Sequence, residues 1–216
     1  PSEIPWIFLT ENGELDLPRI QEYAYEMDMK LPPNIEAMLD EVPPENETVL
    51  KEKDNVLDLG CNCGYESRRM KDLGLNVIGL DFSDKSINEA KKRNPDIIFV
   101  CDNMLNDLTY LGKFDGVVAI ASIIHIKEED LELCFKRIYD ILENEGYLFM
   151  VVRKEVGKLD ASYKEVNNVS YDREVYGYSK ELFEEKMNNR FEFVKEEDSH
   201  DEHWLYYFYK KKENRY

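Results

Sequence analysis

No stretch of this chain approaches the ~18 consecutive apolar residues of a membrane-spanning helix. The opening Pro-Ser-Glu-Ile-Pro has no basic region leading an apolar one. The expectation is a soluble, unexported protein of the cytoplasm with no membrane partner. Histidine is scarce, at three in 216 residues, and there are only four cysteines. Cys61, Cys63, Cys101 and Cys134 fall in apolar strands, a turn or a helix face, which reads as reduced, packed thiols rather than a disulfide frame. Positive charge is the largest deficit. Against 46 Asp and Glu stand 28 Lys and Arg, leaving a net charge of −18. A field of that sign repels nucleic acid and anionic surfaces, so a bulk nucleic-acid substrate is disfavoured, and solubility is the simplest reading of the excess. The clearest basic cluster, Lys210 to Lys212, reads as a solvated strand end. Repeats, low-complexity tracts and Gly/Ser linkers are also missing, and the length suits one domain with a substantial core.

What the chain does have is concentrated in Asn55–Gly64, Asn-Val-Leu-Asp-Leu-Gly-Cys-Asn-Cys-Gly. Val56, Leu57 and Leu59 make an apolar strand carrying one carboxylate, Asp58, and it runs into a turn framed by Gly60 and Gly64. A helix pattern follows from Tyr65. A buried strand, a glycine-framed turn and a helix leave backbone N–H groups facing whatever occupies the crevice at the strand's carboxyl end.

From Asn55 the chain alternates strand and helix, which predicts a parallel sheet with helical crossovers. Strands are expected at 55–59, 76–80, 97–101, 116–120 and 147–152. Helices are expected from Tyr65 to Leu73, from Asp84 to Arg93 with Ser83 as cap, and from Lys127 to Asn144. After a short helix capped by Ser179, strands at 191–197 and 204–210 follow without a crossover, which predicts a hairpin. The predicted fold class is therefore α/β, a doubly wound Rossmann-like sheet of seven strands, mostly parallel with the last antiparallel. Residues 1–50 read as a helical lead-in or lid, 51–216 as the ligand-binding domain, and 157–178 as a substrate-side insertion.

Three acids sit where successive strands should end: Asp58, Asp81 and Asp102. Crossover geometry puts these ends along one edge. A carboxylate after the second strand suits ribose hydroxyls, and one after the third suits an exocyclic amine. Phe82 and Met104 beside them suit the two faces of a flat base. Any one such Asp also reads as a cap or turn residue. All three behind this turn read as an adenosine site.

These segments, together with Val-Ile-Gly-Leu-Asp-Phe-Ser, Cys-Asp-Asn-Met, Phe-Asp-Gly-Val-Val-Ala-Ile-Ala-Ser-Ile-Ile-His-Ile and the closing strand pair, resemble the class I S-adenosylmethionine-dependent methyltransferases over about 55–212. Single-domain enzymes on small molecules, including the quinone-biosynthesis type, are the relatives the pattern suggests. The resemblance implies S-adenosylmethionine as cofactor and a small-molecule N, O or C methyl acceptor. It implies that Gly60, Cys61, Asn62 and Gly64 lie under the methionine part, with Asp58 near its amino group. It implies Asp81 on the ribose, Phe82 on the base, Asp102 at the adenine amine with Asn103 and Met104 beside it, and Ala119 to Ala121 at the methyl-donor end. Asn62 replaces a frequent glycine, and asparagine is the non-glycine residue best suited to φ > 0.

The competing motifs fail on their residues. Asn62 and Tyr65 stand at the later glycine positions of a dinucleotide fingerprint, and neither a phosphate loop nor a nucleophile elbow is present. Ala119-Ile120-Ala121-Ser122 stands where DNA amino-methylating enzymes carry Asn/Asp-Pro-Pro-Tyr. Cys61 and Cys63 with His200 and His203 do not compose a convincing zinc set, because the turn needs two of them for its own fold. No metal is expected. Two alternatives stay open: an aminopropyl transferase, against which Cys61-Asn62-Cys63 lacks a glycine run, and a non-catalytic cofactor-binding or partner-binding domain.

For catalysis the candidate base is His125, a few residues past the fourth strand. The resembling family often has a histidine there, though a packed helix-start histidine fits as well. Acceptor-side candidates are Tyr25 in the lead-in and Arg153, Arg173, Tyr176 and Tyr178 around the insertion, where aromatic walls and guanidinium groups suit a planar or carboxylate-bearing acceptor. The same tyrosines also suit cover for a sheet edge.

Overall fold

A computed structural model of the protein describes residues 50–159, 174–198 and 203–213. The lead-in through residue 49, with Tyr23 and Tyr25, lies outside them, as do Tyr163, Tyr171, Arg173 and His200. Seven strands form one sheet: β1 (Asn55–Leu59), β2 (Asn76–Asp81), β3 (Ile98–Cys101), β4 (Phe114–Ile120), β5 (Leu142–Arg153), β8 (Phe191–Asp198) and β9 (Trp204–Lys211). Their order is β3-β2-β1-β4-β5-β9-β8. β1 to β5 pair in parallel, β9 runs antiparallel between β5 and β8, and β8 forms the edge. The chain's last strand is thus the reversed one. Reversal also brings Trp204, where β9 begins, beside Arg153, where β5 ends.

Helices α1 (Tyr65–Asp72), α2 (Asp84–Arg93), α3 (Glu128–Ile141) and α4 (Lys180–Met187) connect the strands. Ser83 and Ser179 cap α2 and α4, each hydroxyl accepting from an amide three residues on, Ser86 and Leu182. Alternation along the strands feeds two cores. Leu57, Leu59, Val117, Ala119, Leu148, Met150, Tyr207 and Tyr209 face one with the buried side of α3, while Val56, Val118, Phe149, Val151 and Phe208 face the other. Leu50 joins the second core, packed over the bare backbone of Gly116.

Three expectations need correction, and one segment gains structure that the sequence did not show. The helix predicted to reach Asn144 stops at Ile141, where Leu142 turns extended (ψ 143°) and pairs with Phe114. Leu142 is buried in either conformation, so the apolar pattern could not separate them. The described ends of the segment read as a substrate-side insertion pair as a second, two-stranded sheet, β6 (Gly157–Leu159) with β7 (Val175–Gly177). Cys101 is exposed rather than packed, although all four cysteines are free thiols. Lys211 is buried, not solvated: its Nζ donates to the carbonyls of Tyr139 (2.9 Å) and Leu142 (2.6 Å), the open C-terminal end of α3. The lysine stem covers apolar surface while the ammonium satisfies the helix end.

Candidate active site

Parallel pairing of β1 to β4 brings their carboxyl ends to one edge, and there lies a cavity of about 570 Å³. Gly60, Asn62, Asp81, Phe82, Asp102, Asn103, Met104 and His125 all line it, joined by Leu105, Ile120, Ala121, Ser122, Lys127, Asp130 and Glu174. The registers explain the convergence. Asp81 is the last residue of β2 and pairs with Cys101, so Asp102 follows in the adjacent position.

The glycine turn is held by the neighbouring strand. Gly60 N and Cys61 N both donate to Leu80 O, and Asn62 N donates to Asp81 Oδ2 (3.0 Å). Gly60 takes φ +85°, and a Cβ there would stand 2.3 Å from Cβ of Ser122. Only a residue without a side chain lets the turn lie this close to the end of β4. Asn62 takes φ +48° and Ala121 φ +50°. Two non-glycine residues in the left-handed region on one cavity wall mark a backbone held in place by its surroundings.

Asp81 is nearly buried, and its other oxygen accepts from Ser83 N (2.8 Å). A carboxylate pinned by two amides still has acceptor capacity for a ligand's hydroxyls. Asp102 accepts from Tyr110 hydroxyl, Asn106 Nδ2 and Asn103 N. The tyrosine hydrogen bond leads in holding its carboxyl below the ordinary range. Phe82, 66 % exposed, and Met104 present apolar surface to the same space.

His125 sits in a 3-10 turn (Ile123–His125) after β4, and its Nδ1 lies 2.9 Å from the carbonyl of Glu174. A carbonyl only accepts, so Nδ1 carries the proton and, in the neutral ring, Nε2 holds the lone pair. Tyr178 secures this corner by donating to Ile126 O (2.8 Å), and burial raises its phenol to about 12. Tyr176 stacks on Tyr178 (6.0 Å) and donates to the carboxylate of Glu174.

Other predicted site residues stand elsewhere. Asp58 is buried behind the turn and accepts from the hydroxyl of Ser67 on α1; burial raises its carboxyl to about 7. Cys61 is buried and packs toward Gly79, with its thiol pushed upward by burial. Gly64 is the left-handed N-cap of α1, where a Cβ would meet Phe99 and Asn94. Ala119 lies in the core, and the residues at the cavity are the three after it. Arg153 pairs with Glu155 and lies over the ring of Trp204, away from the cavity lining. Tyr176 and Tyr178 support the wall rather than line it. These departures share one cause: position in a motif names a loop, while alternation and turn geometry decide which side chains face the crevice.

Sequence reasoning missed Ser122, Lys127, Asp130 and Glu174. Lys127 and Asp130 open α3 directly after β4, and in a crossover such residues belong to the same edge, so a signal existed. Glu174 had none. Among the described residues no group of three His, Cys, Asp or Glu stands close enough to hold a metal ion.

The lining fits a nucleoside sulfonium. Asp81, Asp102, Asp130 and Glu174 against Lys127 give an acidic wall for a cationic ligand, with carboxylate acceptors at one end and apolar faces beside them. Among the described residues the buried Ser122 hydroxyl has no hydrogen-bond partner, a polar position against the turn.

Comparison with known proteins points the same way. Residues 56–146 match the family described as methyltransferase domain. A Bacillus subtilis protein named as a methyltransferase is 32% identical over 111 residues, 49% of this chain and 45% of that protein. A demethylmenaquinone methyltransferase of Beutenbergia cavernae is 36% identical over 64 residues, 30% of this chain and 27% of its own. A ubiquinone biosynthesis O-methyltransferase of Pelagibacter ubique is 32% identical over 101 residues, 44% of this chain and 40% of its own. The chain thus spans less than half the length of these three relatives. Among solved structures, an S-adenosylmethionine-dependent methyltransferase from Clostridium acetobutylicum shares the fold at a TM-score of 0.62 and 16% identity, covering 91% of each chain. Among the described residues no helix is long and apolar enough to cross a membrane.

Proposed function

We propose, from the premise that this chain carries a class I S-adenosylmethionine-dependent methyltransferase domain, that it transfers a methyl group to a nitrogen, oxygen or carbon of a small molecule. The observation that carries this reading is the pairing of Asp81 and Asp102 on one cavity wall with the turn at Gly60 and with His125. Asp81 would accept from the ribose hydroxyls, and Phe82 and Met104 would flank the base. Asp102 would accept from its amine, and the backbone of 60–64 would lie beneath the methionine arm. S-adenosylmethionine, when bound, supplies a methyl already activated on a sulfonium.

With the donor so activated, the chain's own task is alignment, exclusion of water and, where needed, removal of a proton from the acceptor. His125 is suited to that proton. Its Nδ1–H is spent on the Glu174 carbonyl, so in the neutral ring the lone pair is on Nε2. A cavity of this volume, with Phe82, Met104, Leu105 and Ile120 among its lining, suits a small acceptor. Relatives named for demethylmenaquinone methylation and for O-methylation in ubiquinone biosynthesis support the same class. The acidic net charge disfavours a nucleic-acid acceptor.

Calorimetry of the whole chain with S-adenosylmethionine and S-adenosylhomocysteine tests the site. Asp81→Ala is expected to weaken both about tenfold or more, since hydrogen bonds to a charged group are involved, while circular dichroism stays unchanged. Release of S-adenosylhomocysteine in the presence of quinols, phenols and amines then reads turnover. Undiminished affinity in Asp81→Ala would sink the site, and binding without turnover on any acceptor would remove the activity.

A further inference from the structure

We propose that Tyr110 is a positioning residue for purine recognition, acting through Asp102 to select a ligand whose ring carries an amino group. The inference rests on the reading that Asp102 meets the adenine amine. It deepens that reading by assigning the selectivity to a residue outside the cavity.

Geometry carries the argument. Asp102 follows β3 and lines the cavity. Its Oδ1 accepts twice within its own loop, from Asn103 N (2.7 Å) and Asn106 Nδ2 (2.7 Å). Its Oδ2 accepts once, from the Tyr110 hydroxyl at 2.6 Å. A carboxylate oxygen takes about two hydrogen bonds. Oδ1 is therefore filled, and Oδ2 has one position left. With three donors fixing the plane of the carboxylate, that position is an acceptor of set direction, and it accepts an N–H donor but rejects a carbonyl.

The tyrosine itself is placed for this and for little else. Tyr110 lies in the 3-10 turn Thr109–Leu111 and is 61 % exposed. Among the described residues its ring enters no stacking or cation contact, so the hydroxyl on Asp102 is its strongest tie. A hydrogen bond this short to an ionised acceptor belongs to the strong class. The two groups shift as such a pair should, Asp102 below the ordinary carboxylate range and the Tyr110 phenol up to about 12, through burial and the same bond. A carboxylate kept ionised cannot become a hydroxyl donor to a 6-oxo purine. The oxygen of the wrong base therefore finds no donor on this carboxylate.

The experiment compares S-adenosylhomocysteine with its 6-oxo analogue, in which the adenine amine is replaced by oxygen. Calorimetry on the whole chain runs from about pH 4 to pH 8. Tyr110→Phe is expected to weaken the amino ligand about tenfold and to leave the 6-oxo ligand nearly unchanged, narrowing discrimination by the same factor. The acidic limit of binding should also move to higher pH as Asp102 loses its strongest partner. Asp81, His125, Lys127, Asp130 and Glu174 also face the cavity but are common to both proteins, so the difference between their profiles reports Asp102. In an Asp102→Asn background, Tyr110→Phe should change nothing further. Equal loss for both ligands, an effect that persists in Asp102→Asn, or misfolding of Tyr110→Phe would each overturn the proposal. A silent Tyr110→Phe beside a sensitive Asp102→Asn overturns it alone. Failure of the wild type to bind either ligand, or an insensitive Asp102→Asn, overturns the cofactor reading with it.

Discussion

The two halves of the sheet are built to different rules. On the side of β1, β2 and β3, the covering helices are polar and shallow: α1 buries Ser67 and Met70, and α2 buries Ile87 and Ala90. On the side of β5, β9 and β8, α3 alone buries Leu131, Cys134, Phe135, Ile138 and Ile141. Rings interlock edge to face there, Phe135 with Phe183 (5.8 Å), Tyr139 with Phe191 (5.9 Å) and Phe183 with Tyr207 (6.2 Å). The first half spends its polar groups on turns and strand-end acids and leaves its edge open. The second seals itself. The strand-end acids of the cavity, Asp81 and Asp102, therefore belong to the half whose stability depends least on packing volume and most on hydrogen-bonded loops.

The sharpest way to break this contrast is Phe183→Ala. Phe183 is 1 % exposed and touches rings from α3, β7's flank and β9. Its truncation is expected to cost about 3–5 kcal/mol of stability in urea unfolding, with cofactor affinity of the folded protein retained. A loss of affinity without a loss of stability would mean the halves are not separate in this way.

Asp58→Asn probes the other half, with an effect that depends on pH. Burial raises the Asp58 carboxyl to about 7 from 3.8, against the pull of the Ser67 hydroxyl. Between those values the folded state holds a proton that the unfolded chain has released. The group's contribution is therefore complete below about pH 4 and is lost as pH rises to 7. At ~1.4 kcal/mol per pH unit the loss reaches ~4 kcal/mol at most. The asparagine variant should match the wild type near pH 4 and exceed it by ~2–4 kcal/mol at pH 8; a gap independent of pH would contradict the burial argument.

The smallest effect is expected at Lys211→Met, which keeps the apolar stem and removes the ammonium. The carbonyls of Tyr139 and Leu142 lose their donor, a cost of about 1–3 kcal/mol readable as a lower thermal midpoint. An unchanged midpoint would mean that water replaces the lysine there.

Most of the sheet was legible because local chemistry and global fold agree: Ser83 and Ser179 cap where their spacing places them, and strand apolarity marks burial on both faces. The acids Asp81 and Asp102 were legible for the same reason, each standing just where a strand runs out. Asp58 illustrates the limit. Its place in the motif is as visible as theirs, yet strand alternation turns it toward Ser67 and away from the cavity. Lys211 illustrates another, since three adjacent lysines give no sign of which one faces a helix end.

Order along the chain was thus enough to determine the parallel sheet, its reversed last strand and the edge where the cavity opens, because periodicity and turn chemistry act over a few residues. Only the tertiary structure decided that Ser122, Lys127, Asp130 and Glu174 join that edge, that Tyr110 fastens Asp102, and that Arg153 is occupied by Glu155 and Trp204. Those relations join residues far apart in the chain, or depend on which way a side chain leaves its loop. Packing and backbone direction set them, and the one-dimensional pattern carries neither.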